Sequence, residues 1–262
     1  VGALELERPF LGPLYTFASV ECNPGAIRPV PVFVLLILRF LCEQVKENRM
    51  YPCARPVAVA GEAFRVDAKA EGMTVQIGGW LPTRDPQGRI DKARSLWYSA
   101  VATRSNAPWA FDRDGQPFRL IASLEALALL VGFMVFVPIG DARLAGRTMA
   151  ELPSWTDNRG NSFALTRLAT TKFPLVCLAM ELALQMRSRS TRLAVQWAPR
   201  ELNVEADALT NLEFRGFSAD RRIPVRLEEL RYHGLPDFLE KGKEFYGEVA
   251  EVRAAARSGK TG

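Results

Sequence analysis

A chain of 262 residues, 48% hydrophobic and 24% charged, has the composition of an ordinary globular protein. It is long enough for one large domain with additions or two small ones, and disorder is excluded as the default state. The formal charge of +5 and pI near 9.2 permit a polyanionic partner without requiring one. Cys22, Cys42, Cys53 and Cys177 stand far apart, with no CxxC pair and no neighbouring histidine. That excludes zinc-ligand spacing and a disulfide framework and leaves reduced, mostly buried thiols.

The first residues, from Val1 to Arg8, lack the basic start, apolar run and small-residue cleavage site of a signal peptide. An intracellular protein, in nucleus or cytoplasm rather than secreted, is expected. The start on valine leaves a processed piece of a longer chain open as a reading. Residues 1–57 read as a helical N-terminal extension, with an amphipathic helix from Val32 to about Asn48 and prolines on both sides. From Ala58 the period changes to two: Phe64, Val66 and Ala68 interleave with Arg65, Asp67 and Lys69, and Met73, Val75, Ile77 and Gly79 follow after Gly72. The pattern predicts two antiparallel strands and a short turn. A third strand is predicted over Leu96 to Val101.

The segment from Ile121 to Ile139 is almost wholly apolar apart from Glu125, and by itself would pass as a membrane span of roughly 20 residues. A carboxylate in a lone span costs ~2.5 kcal/mol or more, and Pro138 closes the segment without an adjacent basic flank. A helix from about Phe118 to Val137, buried on most sides in a folded core, is the expectation, with no membrane partner. Beyond it, Met149 to Thr156 reads as a strand ending in Asp157-Asn158. Helical periodicity starts at Ser162, breaks at Pro174 and resumes to about Arg187. Leu193 to Trp197 is a last short strand, and a helix follows from about Leu202 to Leu212. Residues 212–262 form a C-terminal extension with a helix from about Asp237 to Arg257 and a frayed end from Ser258. The central block, 58–211, is expected to form one domain.

With the first strand central, between its hairpin partner and the strand ending at Thr156, Asp67 and Asp157 reach a shared site. Glu125 near the start of the apolar helix and Asp207 in the late helix can reach it too. Four carboxylates held together repel one another unless cations lie among them, and hard oxygen donors select magnesium. Each alone has an ordinary explanation: a turn residue for Asp67, a helix cap for Asp157 with Asn158, a solvated helix position for Glu125 and Asp207. Glu125 resists it most, because a charge amid Leu124, Ala126, Leu127 and Leu129 needs a partner.

Four blocks carry a resemblance. They are Phe-Arg-Val-Asp67-Ala-Lys-Ala-Glu-Gly with Ile-Gly-Gly-Trp80; Ser-Leu-Glu125-Ala-Leu-Ala; Ser-Trp-Thr-Asp157-Asn158; and Trp197-Ala-Pro-Arg-Glu-Leu-Asn203-Val-Glu-Ala-Asp207-Ala-Leu. In this order they resemble the ribonuclease H domain of retroelement reverse transcriptases, those of tyrosine-recombinase (DIRS-like) and LTR-type elements in particular, over about Ala58 to Asn211. Residues 1–57 also resemble the connecting segment after the polymerase thumb of such polyproteins. The resemblance implies a ribonuclease H-like fold: a five-stranded mixed sheet, three antiparallel strands plus two parallel, flanked by helices.

It further implies hydrolysis of the RNA strand of an RNA/DNA hybrid with two Mg2+ ions, or Mn2+. Asp67, Glu125, Asp157 and Asp207 would be catalytic residues and metal ligands, with Asp67 shared between the ions. Asp207 would serve the ion at the attacking water, and Glu125 and Asp157 the ion at the leaving group. Gly78, Gly79, Asn158 and Asn203 are the expected substrate contacts, the first three through the RNA 2′-hydroxyls. A non-catalytic subunit that keeps this fold for assembly or nucleic-acid binding is the alternative, and other polyprotein segments are further expected partners. Trp80 and Trp109 are candidates for base stacking; Trp97, Trp155 and Trp197 read as core. Arg187, Arg189 and Arg192 either grip phosphate or face water at a helix end. His233 is read as structural or exposed.

Overall fold

The computed structural model describes residues 5–20, 29–46, 57–58, 63–111, 116–139 and 149–258. Cys22 and Cys53, the outermost residues 1–4 and the end at 259–262 lie outside them.

The hairpin comes first. Strands β2 (Phe64–Glu71) and β3 (Thr74–Leu81) pair antiparallel through a two-residue connection at Gly72 and Met73. Gly72 has φ +57°, the left-handed conformation that such tight turns require and that glycine adopts without a Cβ clash. β4 (Leu96–Ala102) adds antiparallel to β3. β5 (Ala150–Thr156) then lies parallel to β2 on its other side, and β6 (Thr191–Trp197) lies parallel to β5. The order is β4-β3-β2-β5-β6, with β2 central, as the sequence pattern requires. A two-residue strand, β1 (Val57–Ala58), runs along the start of β5. Three antiparallel strands plus two parallel ones make the ribonuclease H-like sheet implied by the resemblance.

Alternation along β2 assigns its two faces. Phe64 and Val66 lie against Gly132 of helix α3 (Ile121–Phe136), whose missing side chain lets the helix approach: a Cβ there would stand 2.9 Å from Val66 Cγ1. Arg65 and Asp67 point the opposite way, toward helix α6 (Val204–Thr210). α3 is enclosed by the sheet on one side and helix α5 (Leu175–Arg189) on the other. Burial on nearly every side is why it carries almost no polar stripe. By length and composition alone, Pro117–Phe136 could cross a bilayer; here it forms the centre of the core. Helix α4 (Arg159–Thr166) connects β5 to α5.

Both extensions pack onto this body. Helices α1 (Arg8–Ala18) and α2 (Val32–Lys46) lie against α5 and the C-terminal helix α7 (Leu235–Ser258), with Phe10 edge-on to Phe238 and Phe33 against Phe245. Their apolar residues belong to one continuous core with those of α3 and α5. The arginines in the last turn of α5 and just beyond it are drawn into that packing. Arg187 binds Glu7 and Gln44, Arg192 binds Glu5, and Arg189 donates to the carbonyls of Val137 (2.8 Å) and Met134 (3.3 Å). They neither face water nor present a phosphate grip. Glu181, fully buried in α5, accepts the backbone N–H groups of His233 (2.8 Å), Gly234 (2.9 Å) and Leu235 (3.0 Å). It thereby caps the first turn of α7 from another helix. Cys177 is buried beside the Phe238 carbonyl and Cys42 is exposed; both are free thiols.

Two tryptophan expectations need correcting. Trp80 is fully enclosed and Trp109 is 7% exposed, so neither offers a stacking face. Trp80 lies beneath Phe217 and beside Trp97, Ala206 and Leu209, in a second small core that Phe214 and Phe217 cover. Trp197, read as core, is 48% exposed because β6 is an edge strand.

Candidate active site

Parallel pairing of β2 with β5 sets the centre of the site. Arg65 is paired with Trp155, and two residues later come Asp67, in the middle of β2, and Asp157, just past the end of β5. Asp157 falls just beyond β5 because Asn158 starts α4, its side-chain oxygen accepting the Asn161 N–H at 3.0 Å. Glu125 is on the second turn of α3, where Asn161 Nδ2 donates to it at 3.2 Å and Asn158 also bonds it. Asp207 comes from α6, which is held by Asn203 Nδ2 on the Val66 carbonyl (3.0 Å) and by Arg65 Nη1 on the Leu202 carbonyl (3.3 Å). Arg65 itself is clamped between the Trp155 and Trp80 rings, 4.2 and 5.2 Å from their centroids. All four carboxylates line one cavity of about 350 Å³, with Lys69, Ile121, Arg200 and Asn211.

Burial, then the neighbouring Asp157, pushes the Asp67 carboxyl up to about 6, and Asp207 adds to it; Thr210 Oγ1, 3.2 Å from Asp67 Oδ2, works against the rise. Burial and Asp157 likewise push Glu125 up to about 7, with Asp67 contributing and the two asparagines opposing. The rim opposite Glu125 is a chain of contacts: Lys69 Nζ donates to Asn211 Oδ1 (2.8 Å), Asn211 Nδ2 donates to Asp207 Oδ2 (3.1 Å), and Arg200 Nη2 donates to Asp207 Oδ1 (2.8 Å). Lys69 also pairs with Glu71 at 2.8 Å. Four carboxylates thus face two cations, and the anions are in excess.

Among the described residues, no three carboxylate, histidine or cysteine side chains are drawn together as a ready coordination set. Thr210 bonds Asp67, and Arg200 and Asn211 bond Asp207. The donor chemistry suits divalent cations of the magnesium type: hard carboxylate oxygens, an excess of negative charge, and two carboxyls whose ionisation is opposed first by burial and then by neighbouring carboxylates.

Several solved structures are similar to part of this chain. They include RNase H1 from the halophilic archaeon Halobacterium salinarum, 17% identical over 59% of this chain and 97% of that one, TM-score 0.35. LC11-RNase H1, isolated from compost by a metagenomic approach, is 17% identical over 59% of this chain and 96% of that one, TM-score 0.39. The N-terminal RNase H domain of a Mycobacterium tuberculosis protein is 17% identical over 58% and 94%, TM-score 0.31. No protein-family model and no curated protein matches the chain. The fold is defined by the strand order and helix placement above, independently of these likenesses.

Of the expected substrate contacts, Asn158 bonds Glu125, Gly78 pairs with Asp67 across the hairpin, and the Asn203 carbonyl accepts the Asp207 N–H at 3.1 Å. None of the four lines the cavity: Gly78 is buried beneath α6, Gly79 faces Tyr98 and Val66 on the other side of the sheet, and Asn203 is buried at the start of α6. Gly78 serves the site from behind: a Cβ there would stand 2.8 Å from Leu209 Cβ, so the missing side chain lets α6 rest on β3. Gly78→Val is expected to lift α6 and move Asp207 and Thr210, costing ~1–3 kcal/mol of stability and on the order of 10²-fold in any activity of the site. Thermal melting beside turnover at a temperature where the variant stays folded checks this. Thr210, Arg200, Lys69 and Asn211 escaped the sequence reading. Thr210 alone carried a usable signal, lying three residues after Asp207 on the same helical face.

Proposed function

We propose that the protein is a metal-dependent endonuclease of the ribonuclease H type, retroelement-derived, that hydrolyses the RNA strand of RNA/DNA hybrids. The observation that carries this reading is the meeting of Asp67, Glu125, Asp157 and Asp207, from four separate elements, at one anion-rich cavity. Two Mg2+ or Mn2+ ions held by these four residues would supply an attacking water of lowered pKa and compensate charge on the phosphate and the departing 3′ oxygen. Asp67, whose ionisation is opposed by both Asp157 and Asp207, would help to hold both ions. Thr210 orients the Asp67 carboxylate, and Asn158 and Asn161 orient that of Glu125. Arg200, 74% exposed at the rim, can turn from Asp207 toward a phosphate oxygen of the substrate.

Arg200 also gives the second reading its one support. A guanidinium already paired with Asp207 is what a binding subunit without metal would keep. The competition can be measured. An exposed ion pair is worth at most ~1 kcal/mol, so Arg200→Gln is expected to lower the Mg2+ concentration for half-maximal activity roughly three- to fivefold. An unchanged or raised midpoint would count against Asp207 as a ligand. The function itself is tested with a labelled RNA/DNA hybrid beside the same RNA and DNA sequences as single strands and homoduplexes, with Mg2+ or with EDTA. Chelator-sensitive cutting of the hybrid's RNA strand is expected, and its absence at every metal concentration favours the binding subunit.

A further inference from the structure

A larger cleft, of about 1060 Å³, opens on the other side of the same turn that leads into α3. Ile121 lines the carboxylate cavity, while Leu120, Ala122 and Ser123 line the cleft. Its remaining walls are α1, the approach to α5, and α7, so it exists because the two extensions pack against the central domain.

The charge of the cleft is one-sided. Arg119, Lys172, Lys243, Arg253 and Arg257 line it, all exposed, and no Asp or Glu does among the described residues. α7 explains how. Lys243, Gly247, Ala250, Arg253, Ala254 and Arg257 recur at three- and four-residue spacing and form the face toward the cleft. Glu244, Glu248 and Glu251 fall outside that stripe, at roughly 100° or more from its centre at 100° per residue. The small residues Gly247, Ala250 and Ala254 keep the floor low between the cations. Aromatic surface lies beside them: Tyr15 on α1 is 66% exposed, and Phe173 stacks on Tyr246 with centroids 5.5 Å apart.

We infer that this cleft holds an unpaired nucleic-acid strand running on from the duplex at the carboxylate cavity, its phosphates along the cations and a base on Tyr15. The inference rests on the nuclease reading for its direction, since the shared α3 turn makes the two cavities neighbours. A concave groove with cations, exposed phenol surface and no acids matches a single strand, which offers both phosphates and π-faces. An acidic peptide supplies charge without bases to stack, and a lipid surface is flat.

The test compares binding of the full chain, in Ca2+ to prevent turnover, to a blunt RNA/DNA hybrid and to the same hybrid with an unpaired extension of ~10 nucleotides on each strand and end in turn. At least one extension is expected to tighten binding roughly tenfold at about 0.1 M salt and to steepen the salt dependence. The double charge reversal Lys172→Glu/Arg253→Glu removes that gain, and Tyr15→Ala reduces it roughly threefold or more. Both leave blunt-hybrid cleavage and melting temperature unchanged. No gain from any extension in the wild type overturns the inference, as does a gain that survives both variants. Binding to vesicles containing phosphatidylserine that the double variant abolishes, with no gain from extensions, assigns the cleft to lipid instead. If extensions bind but no hybrid is cut, the nuclease reading fails and the cleft assignment stands; cutting without an extension effect does the reverse.

Discussion

Asp67→Asn is expected to slow cleavage of an RNA/DNA hybrid by on the order of 10³-fold or more while raising the melting temperature of the metal-free protein at about pH 8. The two effects have one cause. Asp67 lies buried with Asp157 and Asp207 close enough to raise its pKa to about 6, so in the absence of a counter-ion its ionisation opposes folding. A carboxyl whose folded pKa lies above its unfolded value favours folding most fully below the unfolded pKa, near 4, and loses that contribution as pH rises through the folded pKa. Glu125, raised to about 7, acts in the same direction slightly higher on the scale. Metal-free wild type therefore loses stability between about pH 4 and 7, on the order of 2 kcal/mol from Asp67, and the asparagine variant escapes that loss. Added Mg2+ should reverse the ranking at high pH by favouring the ionised cluster. Melting curves across pH, with EDTA or Mg2+, beside cleavage rates, measure both halves. Equal cleavage by the two proteins would end the catalytic assignment, and equal melting at high pH would end the electrostatic one.

Glu181→Ala is expected to cost about 3–4 kcal/mol and lower the melting temperature by roughly 10 °C. The carboxylate is fully buried and accepts three backbone N–H groups at the start of α7, together with Gln185 Nε2 at 2.6 Å. Alanine leaves those donors without an acceptor and opens space for no side chain to fill. Glu181→Gln keeps the shape and one good acceptor, so it should fall between. The damage is local in kind: hydrogen exchange should accelerate first over His233 to Phe238, where α7 starts, before the sheet responds. Since α7 forms one wall of the basic cleft, the same variant should weaken binding of an extended hybrid more than of a blunt one. Uniform loss of protection across the sheet would show that α7 is not separately anchored.

The strands and helices were readable along the chain because their periods were clean. Phe64, Val66 and Ala68 against Arg65, Asp67 and Lys69 fixed a strand and its two faces, and the helix starts at Val32 as the pattern has it and holds through Lys46, the last residue described there. What each face meets was not readable. Trp80 looks like an exposed ring beside a glycine pair until Phe214 and Phe217, more than a hundred residues later, close over it. Arg187 looks like a helix-end charge until Glu7 and Gln44 arrive from the N-terminal extension. Glu181 lies in an apolar helix with nothing nearby in sequence to explain it, because its partners are backbone amides at 233–235. Backbone donors leave no trace in side-chain patterns.

The amino-acid order alone determined the succession of elements, the apolar helix that had to be buried, and which four carboxylates were candidates to act together. Those follow from local periodicity and from the cost of placing a charge among leucines. Tertiary structure decided where the anions meet, which are held by Thr210, Asn161 and Arg200, and that Gly78 supports α6 from beneath instead of lining the cavity. It also decided that both extensions join the core and enclose a basic cleft. Contacts of this kind depend on strand order and helix packing between distant segments, and a one-dimensional pattern records each face of an element without recording what lies across from it.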